Sequence, residues 1–371
     1  MKIGILTLPL HTNYGGILQA YALQTVLERM GHQVVVLNYK KENRLPLWKL
    51  PLSYTKRIIY KYIFRRNDIR VFTEYHQKRE SAIISQHIQR FIDKYIHSYD
   101  VKSFQRLRES DFDAIVVGSD QVWRPKYFTY LFNSKIEDAF LLFAQKWNLK
   151  RISYAASFGT DKWEYTIEET KVCAELLKFF DLVTVREESA VKLCKDKLGV
   201  DAFHVLDPTM LLSKDDYIKL FDVANTPKSN GNLLTYILDD NSDKTELINQ
   251  ISKEKGLIPF RVNSQIEGDH ICTNDRIHPS VETWLRGFYD AEFIVTDSFH
   301  ACVFSIIFGK PFVVIGNEER GMARFKSLLN MFGLEDCLIT SLKDYTINNC
   351  DYTNLREYQE YSLKLLYDAL C

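Results

Sequence analysis

The sequence predicts an α/β protein made of two halves, each a parallel β-sheet flanked by helices. Short apolar runs alternate with longer stretches of helical periodicity along most of the chain, which is typical of parallel sheets with helical crossovers. The chain has 371 residues, of which 46% are hydrophobic. This length exceeds what one hydrophobic core usually supports, so we expect two domains with a core each.

The strand-like runs fall into two series. They lie at residues 3–8, 34–37, 114–117, 152–155, 182–185 and 204–206, and then at residues 233–238, 257–262, 293–295 and 312–315. The polar stretch 225–231 between the two series is the strongest turn cluster in the middle of the chain. We therefore place an N-terminal Rossmann-like domain at residues 1–225 and a C-terminal one at 226–371. A glycine-poor segment near residues 40–100 interrupts the rhythm and predicts a helical insertion after the second strand.

Composition excludes several classes of protein. The 48 basic and 48 acidic residues balance, so no global positive field favours nucleic acid as a partner. No apolar run approaches the roughly 18 residues that a membrane-spanning helix needs. The first residues form a strand-like run and not a signal peptide. Seven cysteines, an odd number without a CxxC pair, argue against a disulfide framework and a zinc site. These features predict a cytoplasmic protein.

The corner after the run 293–295 carries the strongest candidate for chemistry. Asp297 and His300 follow this strand and precede a helical pattern. Ligands collect at the carboxyl ends of parallel strands, and residues three apart share one side of a helical turn. The two side chains are therefore candidate catalytic groups. The alternative is that Asp297 caps the helix and His300 is a partly buried structural histidine.

A glycine-bearing corner follows the first strand. It contains Asn13, Gly15 and Gly16, and a helical pattern begins directly after it. Backbone N–H groups at such a turn, with the positive end of the helix, can bind an anion or a sugar. The corner matches neither a dinucleotide-binding nor a Walker motif. The alternative is a tight turn that needs glycine for positive φ.

Similar corners follow two further strands. Ser119 and Asp120 come after the run 114–117, and a Ser-Phe-Gly corner at residues 157–159 comes after the run 152–155. Polar corners at several strand ends predict one shared cleft. Asp120 is a candidate for orienting an acceptor hydroxyl, although an aspartate after a strand is more often a helix cap.

Three arginines are candidate anion ligands. Arg186 follows the run 182–185, and Arg320 and Arg324 follow the run 312–315. A guanidinium group can bind a carboxylate or phosphate through two parallel hydrogen bonds. The alternative is that neighbouring acidic residues neutralise them.

The segment 40–66 contains nine basic residues and one acidic residue, interleaved with aromatic side chains. Such a segment can lie on an anionic membrane surface or hold a charged glycan carrier. The alternative is a solvated helical face.

The ordered set of corner motifs resembles the polysaccharide pyruvyl transferase family, from residue 1 to about 335. The motifs are Ile5-Leu6-Thr7 with Asn13-Tyr14-Gly15-Gly16, Val117-Gly118-Ser119-Asp120-Gln121-Val122-Trp123, Ser153-Tyr154-Ala155-Ala156-Ser157-Phe158-Gly159, Arg186-Glu187-Glu188-Ser189, Asp207-Pro208-Thr209 and Thr296-Asp297-Ser298-Phe299-His300. The resemblance implies two Rossmann-like domains facing a central cleft, similar to GT-B glycosyltransferases. It also implies phosphoenolpyruvate as donor substrate, with no cofactor, and a pyruvate ketal formed on two hydroxyls of a sugar.

By this resemblance, His300 is the general acid, because its ordinary pKa lies near the operating pH, and Arg186 binds the donor. Many family members have Asp-Arg-Leu-His at the last corner, whereas this chain has Ser298 where they have arginine. We expect Arg320 or Arg324 to replace that missing ligand. The expected acceptor is a capsular, exopolysaccharide or cell-wall glycan precursor, carried by a lipid at the inner face of the membrane. The alternatives are a nucleotide-sugar glycosyltransferase and a non-catalytic glycan-binding relative.

Overall fold

Two parallel β-sheets organise the chain. The computed structural model describes residues 1–39, 50–58, 60–61, 73–264, 272–316, 321–340 and 354–371. The first sheet has the strand order β3-β2-β1-β4-β5-β6-β7 and the second has the order β12-β11-β10-β8-β9. The strands are β1 (Lys2–Leu6), β2 (Gln33–Tyr39), β3 (Ser98–Val101), β4 (Ala114–Val117), β5 (Lys150–Ala156), β6 (Leu182–Val185), β7 (Phe203–His204), β8 (Leu233–Tyr236), β9 (Pro259–Phe260), β10 (Phe293–Thr296), β11 (Phe312–Ile315) and β12 (Leu338–Ile339).

The central strands are short and wholly buried. Every residue of β4, β6, β8 and β10 is buried, as expected for strands covered by helices on both faces. The strand order reverses between β1 and β4 in the first sheet and between β8 and β10 in the second. Ligands of open α/β sheets bind at such reversals, outside the carboxyl ends of the strands.

Thirteen α-helices lie in the part of the chain that the structure describes. They are α1 (Tyr14–Arg29), α2 (Leu50–Ile58), α3 (Thr73–Ile84), α4 (Gln86–Tyr95), α5 (Pro125–Phe132), α6 (Ile167–Leu177), α7 (Glu188–Leu193), α8 (Lys214–Val223), α9 (Ser242–Lys255), α10 (Val281–Asp290), α11 (Phe299–Phe308), α12 (Met322–Phe332) and α13 (Leu355–Leu370). Among them, none has the length and apolar character required to cross a membrane.

The predicted secondary structure is largely confirmed. All ten predicted strands are present, and helices α2, α3 and α4 lie in the predicted insertion. Two edge strands were not predicted. In β3 only the last residue is buried, so the strand lacks an apolar pattern, and β12 has only two residues.

The last helix, α13, packs against the first sheet although the second sheet immediately precedes it in sequence. Lys150 Nζ at the start of β5 donates to the carbonyl of Ala369 at 3.0 Å. The Leu206 amide donates to Ser362 Oγ at 3.2 Å. The boundary at residue 225 therefore separates the two sheets, but α13 belongs by its contacts to the N-terminal half. One continuous cluster of buried apolar side chains also joins helices of both halves.

Candidate active site

The predicted corners meet in one cavity of about 560 Å³ between the two halves. Residues from the carboxyl ends of β1, β4 and β10 line it, together with the start of α12. The lining residues are Leu8, Pro9, His11, Asn13, Gly16, Asp120, Gln121, Tyr127, Leu131, Leu238, Asp297, Ser298, Phe299, His300, Arg324 and Phe325. Most of the predicted site residues therefore lie in or beside a single cleft.

Two helices point their N-termini into this cavity, one from each half. Helix α1 begins after Asn13, and helix α11 begins after Ser298. Neither Asn13 nor Ser298 caps its helix through the side chain. The first N–H groups of a helix have no partner within it and carry partial positive charge. The cavity therefore combines two helix ends of the kind that binds anions.

Gly15 leaves room for His300. A Cβ atom on Gly15 would lie only 2.0 Å from His300 Nδ1, so no larger residue fits there without moving the imidazole. Neither Gly15 nor Gly16 has positive φ, and the interpretation of this corner as a turn requiring positive φ is wrong. Gly16 is less restricted, because its Cβ would lie 3.4 Å from Asn13 Nδ2.

Asp207 joins His300 to Arg186. Its Oδ2 lies 3.7 Å from His300 Nε2 and accepts a 2.8 Å hydrogen bond from Arg186 Nη1. Ser119 Oγ donates to the same oxygen at 3.1 Å. Burial alone would raise the pKa of Asp207. His300 and Arg186 together nevertheless hold this pKa well below its usual range. Asp207 is therefore an ionised carboxylate beneath the histidine.

Arg186 is buried and does not line the cavity. Its guanidinium lies 4.5 Å from the centre of the Phe299 ring. Nη2 lies 3.7 Å from Asp120 Oδ1, and Nε lies 3.6 Å from Glu187 Oε1. Burial alone would lower the pKa of Arg186. The nearby carboxylates of Asp207, Glu187 and Asp120 outweigh this effect and raise it. The arginine therefore keeps its positive charge just behind the cavity wall.

Arg324 lines the cavity itself and approaches the same ring. Its guanidinium lies 5.5 Å from the centre of Phe299, within the range of a cation–π contact. Burial, together with repulsion from Arg186, lowers the pKa of Arg324 to about 10. At neutral pH Arg324 is still a cation, and an anion in the cavity would relieve the repulsion between the two arginines.

Asp120 and Glu187 supply negative charge around this pair. Asp120 has a left-handed backbone with φ of 66°, and its Oδ1 accepts from the Gln121 amide at 2.9 Å. Glu187 accepts a hydrogen bond from the Ser157 hydroxyl, and burial raises its pKa against the opposing effect of Arg186. Asp120 borders the cavity, whereas Glu187 lies behind it.

Asp297 borders the cavity but holds its own loop in place. Its carboxylate accepts from the backbone amides of Leu238 and Asp239 at 2.8 and 3.1 Å. It also accepts from Lys244 Nζ at 2.7 Å in a buried ion pair. These three donors fix the corner after β10 against the corner after β8. The predicted catalytic role of Asp297 stays a prediction, and its contacts are those of a positioning residue.

Sequence reasoning gave no role to Asp207 or Phe299, and it considered Glu187 only as an acidic neighbour that could neutralise Arg186, a contact that the structure contains. The Asp207-Pro208-Thr209 motif follows a predicted strand and was the available signal, but its partners lie far away in sequence. Arg320 lies outside the described residues.

One protein family matches most of the chain. A sequence model of the polysaccharide pyruvyl transferase family matches residues 13–319. A search of curated proteins gave no match. The confirmed fold class is α/β with two parallel sheets.

Solved structures resemble the chain at low sequence identity. Three similar ones are the UDP-GlcNAc 2-epimerase from Methanocaldococcus jannaschii (14% identity, 98% of this chain and 93% of that chain, TM-score 0.48), the UDP-GlcNAc 2-epimerase from Neisseria meningitidis bound to UDP-GlcNAc (12%, 98% and 94%, TM-score 0.46) and the wall teichoic acid polymerase TagF (10%, 100% and 84%, TM-score 0.44).

Proposed function

The chain belongs to the polysaccharide pyruvyl transferase family, and from this premise we propose that it transfers pyruvate from phosphoenolpyruvate to two hydroxyls of a glycan precursor. The product is a cyclic pyruvate ketal, and inorganic phosphate is released. The proposed reaction balances without a resident cofactor.

The observation that carries the proposal is the convergence of cationic groups on the cavity. Phosphoenolpyruvate has two small anionic groups, a phosphate and a carboxylate. The N-termini of α1 and α11 and the guanidinium of Arg324 face the same space. Helix N-termini and arginine are suited to both anions. In this proposal Arg324 replaces the arginine that the family has at position 298, and Ser298 itself contributes the helix end.

We propose that His300 gives the proton that starts the reaction. Protonation of the methylene carbon of phosphoenolpyruvate makes the adjacent carbon electrophilic. A sugar hydroxyl then adds to that carbon, the carbon–oxygen bond to phosphate breaks, and a second hydroxyl closes the ketal. One hydroxyl proton restores the histidine, and the other leaves with phosphate. Ionised Asp207, 3.7 Å from Nε2, stabilises positive charge on the imidazole before the transfer.

The remaining residues position these groups. Arg186 was expected to bind the donor, but it lies behind Phe299. We propose that it contributes positive potential through the wall of the cavity and holds Asp207. Asp120 borders the cavity and is our candidate for accepting a hydrogen bond from the acceptor hydroxyl. Asp297 fixes the loop that carries His300.

The cellular setting remains part of the proposal. We propose a capsular, exopolysaccharide or cell-wall precursor, carried by a lipid at the cytoplasmic face of the membrane. The basic segment 40–66, most of which lies outside the described residues, would contact anionic lipid. Flotation with anionic vesicles at low salt, lost at high salt, tests this contact. Absence of flotation at both salt concentrations would contradict it.

The decisive test combines ligand binding with turnover. A ligand bound only by the folded protein raises the melting temperature, so phosphoenolpyruvate should stabilise the wild type. His300→Asn should keep this stabilisation but release no phosphate in the presence of an acceptor. Arg324→Ala should lose the stabilisation.

Other outcomes would redirect the assignment. Stabilisation by UDP- or GDP-sugars, without any effect of phosphoenolpyruvate, would indicate a nucleotide-sugar glycosyltransferase. Full activity of His300→Asn would refute its role as the acid. Unchanged donor affinity in both Arg320→Ala and Arg324→Ala would show that neither arginine replaces the ligand missing at Ser298. Glycan binding without turnover would indicate a non-catalytic relative.

A further inference from the structure

A second hollow, which the proposed reaction does not use, lies next to the cavity. This hollow has a volume of about 450 Å³ and shares His11 and Leu131 with the cavity. Helices α3 and α4 form one side of it, and Tyr130 on α5 and residues 276–278 form the rest. The two spaces therefore adjoin at His11 and Leu131.

A third hollow continues the same path along the outer face of α4. It has a volume of about 580 Å³ and shares Ser85 and Gln89 with the second. The volumes of the cavity and of the second hollow lie in the range of about 300–1,000 Å³ that is typical of ligand clefts, whereas the third hollow is an open surface along α4. We call the second and third hollows together the α4 groove.

The α4 groove has the mixed surface that sugars require. Sugar rings present hydroxyl groups at their edges and C–H groups on their faces. The groove offers the amide of Gln89, the guanidinium of Arg90 and the carboxylate of Asp93 along one face of α4. Tyr130, which is 68% exposed, offers an aromatic surface with a polar tip.

Both halves build the α4 groove, so it is held in a fixed position relative to the cavity. The amide of His278, in the second half, donates to the carbonyl of Ile84 at the end of α3 at 3.0 Å. Tyr14, beside the catalytic cavity, donates through its hydroxyl to the carbonyl of Pro279 at 2.7 Å. The buried face of α4, with Ile88, Phe91 and Ile92, packs into the shared core. A polar helix face is ordinarily just solvated, but here Gln89 on that face also lines the second hollow beside the cavity.

We propose that the α4 groove binds the non-reacting sugar units of an oligosaccharide acceptor whose terminal sugar lies in the cavity. The inference rests on the proposed function for the position of the reacting sugar. It adds that the acceptor has at least three units, that the units beyond the terminal sugar lie along α4, and that the helical insertion provides selectivity for acceptor length.

The test compares short and long acceptors in binding and in turnover. The probes are p-nitrophenyl glycosides of galactose, glucose, mannose and N-acetylmannosamine, each as a monosaccharide and as a trisaccharide with the same terminal sugar. We expect the trisaccharide of the preferred sugar to bind at least tenfold more tightly by titration calorimetry. The same ratio should appear in kcat/KM for phosphate release from phosphoenolpyruvate.

Substitutions test whether the tighter binding of the trisaccharide comes from the α4 groove. Gln89→Ala and Tyr130→Ala should reduce the ratio between the two lengths to less than threefold. Gln250→Ala is a matched control, because Gln250 on α9 donates to Glu254 at 2.8 Å just as Gln89 donates to Asp93 at 2.8 Å. Tyr367→Ala is the second control, since Tyr367 on α13 is 54% exposed and lies outside the groove. Both controls should keep the whole gain.

The possible failures are distinguishable. Equal binding of both lengths to the wild type, or an undiminished gain in both groove variants, would overturn the α4 groove as a sugar site even if phosphate is released. Length-dependent binding that depends on Gln89 and Tyr130, without any phosphate release, would support the groove and refute the proposed reaction.

Discussion

At the scale of the residue, the site depends on one close approach between the two halves. Gly15 on α1 and His300 on α11 share a space that has no room for an additional carbon atom. Glycine at this position thus serves packing against the imidazole, although it costs helix propensity.

We predict that Gly15→Ala lowers kcat by about 100-fold, since a displacement of about 1 Å at a reacting group can have this effect. Overpacking should also reduce the free energy of unfolding by roughly 1–3 kcal/mol. Phosphate release and urea unfolding measure the two effects. Gly16→Ala is the control, because its Cβ meets Asn13 at an ordinary contact distance of 3.4 Å. Equal activity of the two variants would contradict the steric interpretation.

Asp207 gives a second prediction. Asp207→Asn takes the closest carboxylate from the buried guanidinium of Arg186, and breaking a buried ion pair costs about 3–5 kcal/mol. We expect a loss of that order in urea unfolding at pH 7, where wild-type Asp207 is ionised. Ser119→Ala removes only a neutral hydrogen bond to the same oxygen and should cost about 1 kcal/mol. A loss below 1 kcal/mol in Asp207→Asn would show that Glu187 and Asp120 are sufficient partners.

The sequence predicts where the site residues lie better than what they contact. His300, Asp120 and Gly16 were expected in one cleft because each follows the carboxyl end of a strand, which is a local property. The approach of Asp207 to His300 depends on the docking of the two sheets, and its ion pair with Arg186 depends on the pairing of β6 with β7 in the first sheet. No local pattern encodes either contact. The contacts of Asp297 could not be predicted from the sequence either, because its ion pair with Lys244 joins the corner after β10 to the start of α9 after β8.

At the scale of the element, an ion pair joins α8, which lies in the segment between the two sheets, to the first helix. Arg29 at the end of α1 forms a 2.8 Å ion pair with Asp216 in the first turn of α8. Asp216 also completes a capping box with Ser213. Ser-x-x-Asp is a local pattern compatible with such a cap, whereas no local pattern indicates the partner on α1.

The Arg29–Asp216 ion pair predicts that the free energy of unfolding decreases at acid pH. The Arg29 hydrogen bonds lower the pKa of Asp216 from 3.8 to about 2. A lowered pKa means that the stabilisation is complete above pH 4 or so and is lost as the pH falls from about 4 to 2. Arg29→Gln should therefore reduce the free energy of unfolding by up to about 1 kcal/mol at pH 7, and the difference from wild type should approach zero near pH 2.

Unfolding curves of both proteins between pH 7 and pH 2 test this dependence. Arg356→Gln is the control, because the Arg356–Glu360 pair is highly exposed within one helix and should have little effect at any pH. A difference that stays constant down to pH 2 would contradict the assignment to Asp216.

At the scale of the whole molecule, the chain returns to its first half after completing the second sheet. Helix α13 contacts β5 and carries Leu366, which is fully buried in the shared core. The alternation of strands and helices predicted two halves correctly, but it gave no sign of where a terminal helix would pack.

Leu366→Ala should cost about 2–5 kcal/mol, as expected for truncation of a buried leucine. Because α13 lies on the first sheet, amide hydrogen exchange should accelerate in β5 before it accelerates in β10. Tyr367→Ala, at an exposed position of the same helix, should change neither property. Uniform acceleration in both sheets would instead indicate that the molecule opens only as a single unit.

The apolar cluster common to both halves also bears on motion. Domains joined by small polar interfaces commonly swing about a hinge, whereas a large apolar interface restrains them. Here buried side chains of α1, α10, α11 and α13 belong to one cluster, and the imidazole of His300 lies against Gly15 of the first half. The interface between the halves is thus of the apolar kind that restrains domain motion. We therefore expect X-ray scattering to give nearly the same radius of gyration with and without phosphoenolpyruvate, because the two halves move little relative to each other and the cavity between them stays accessible.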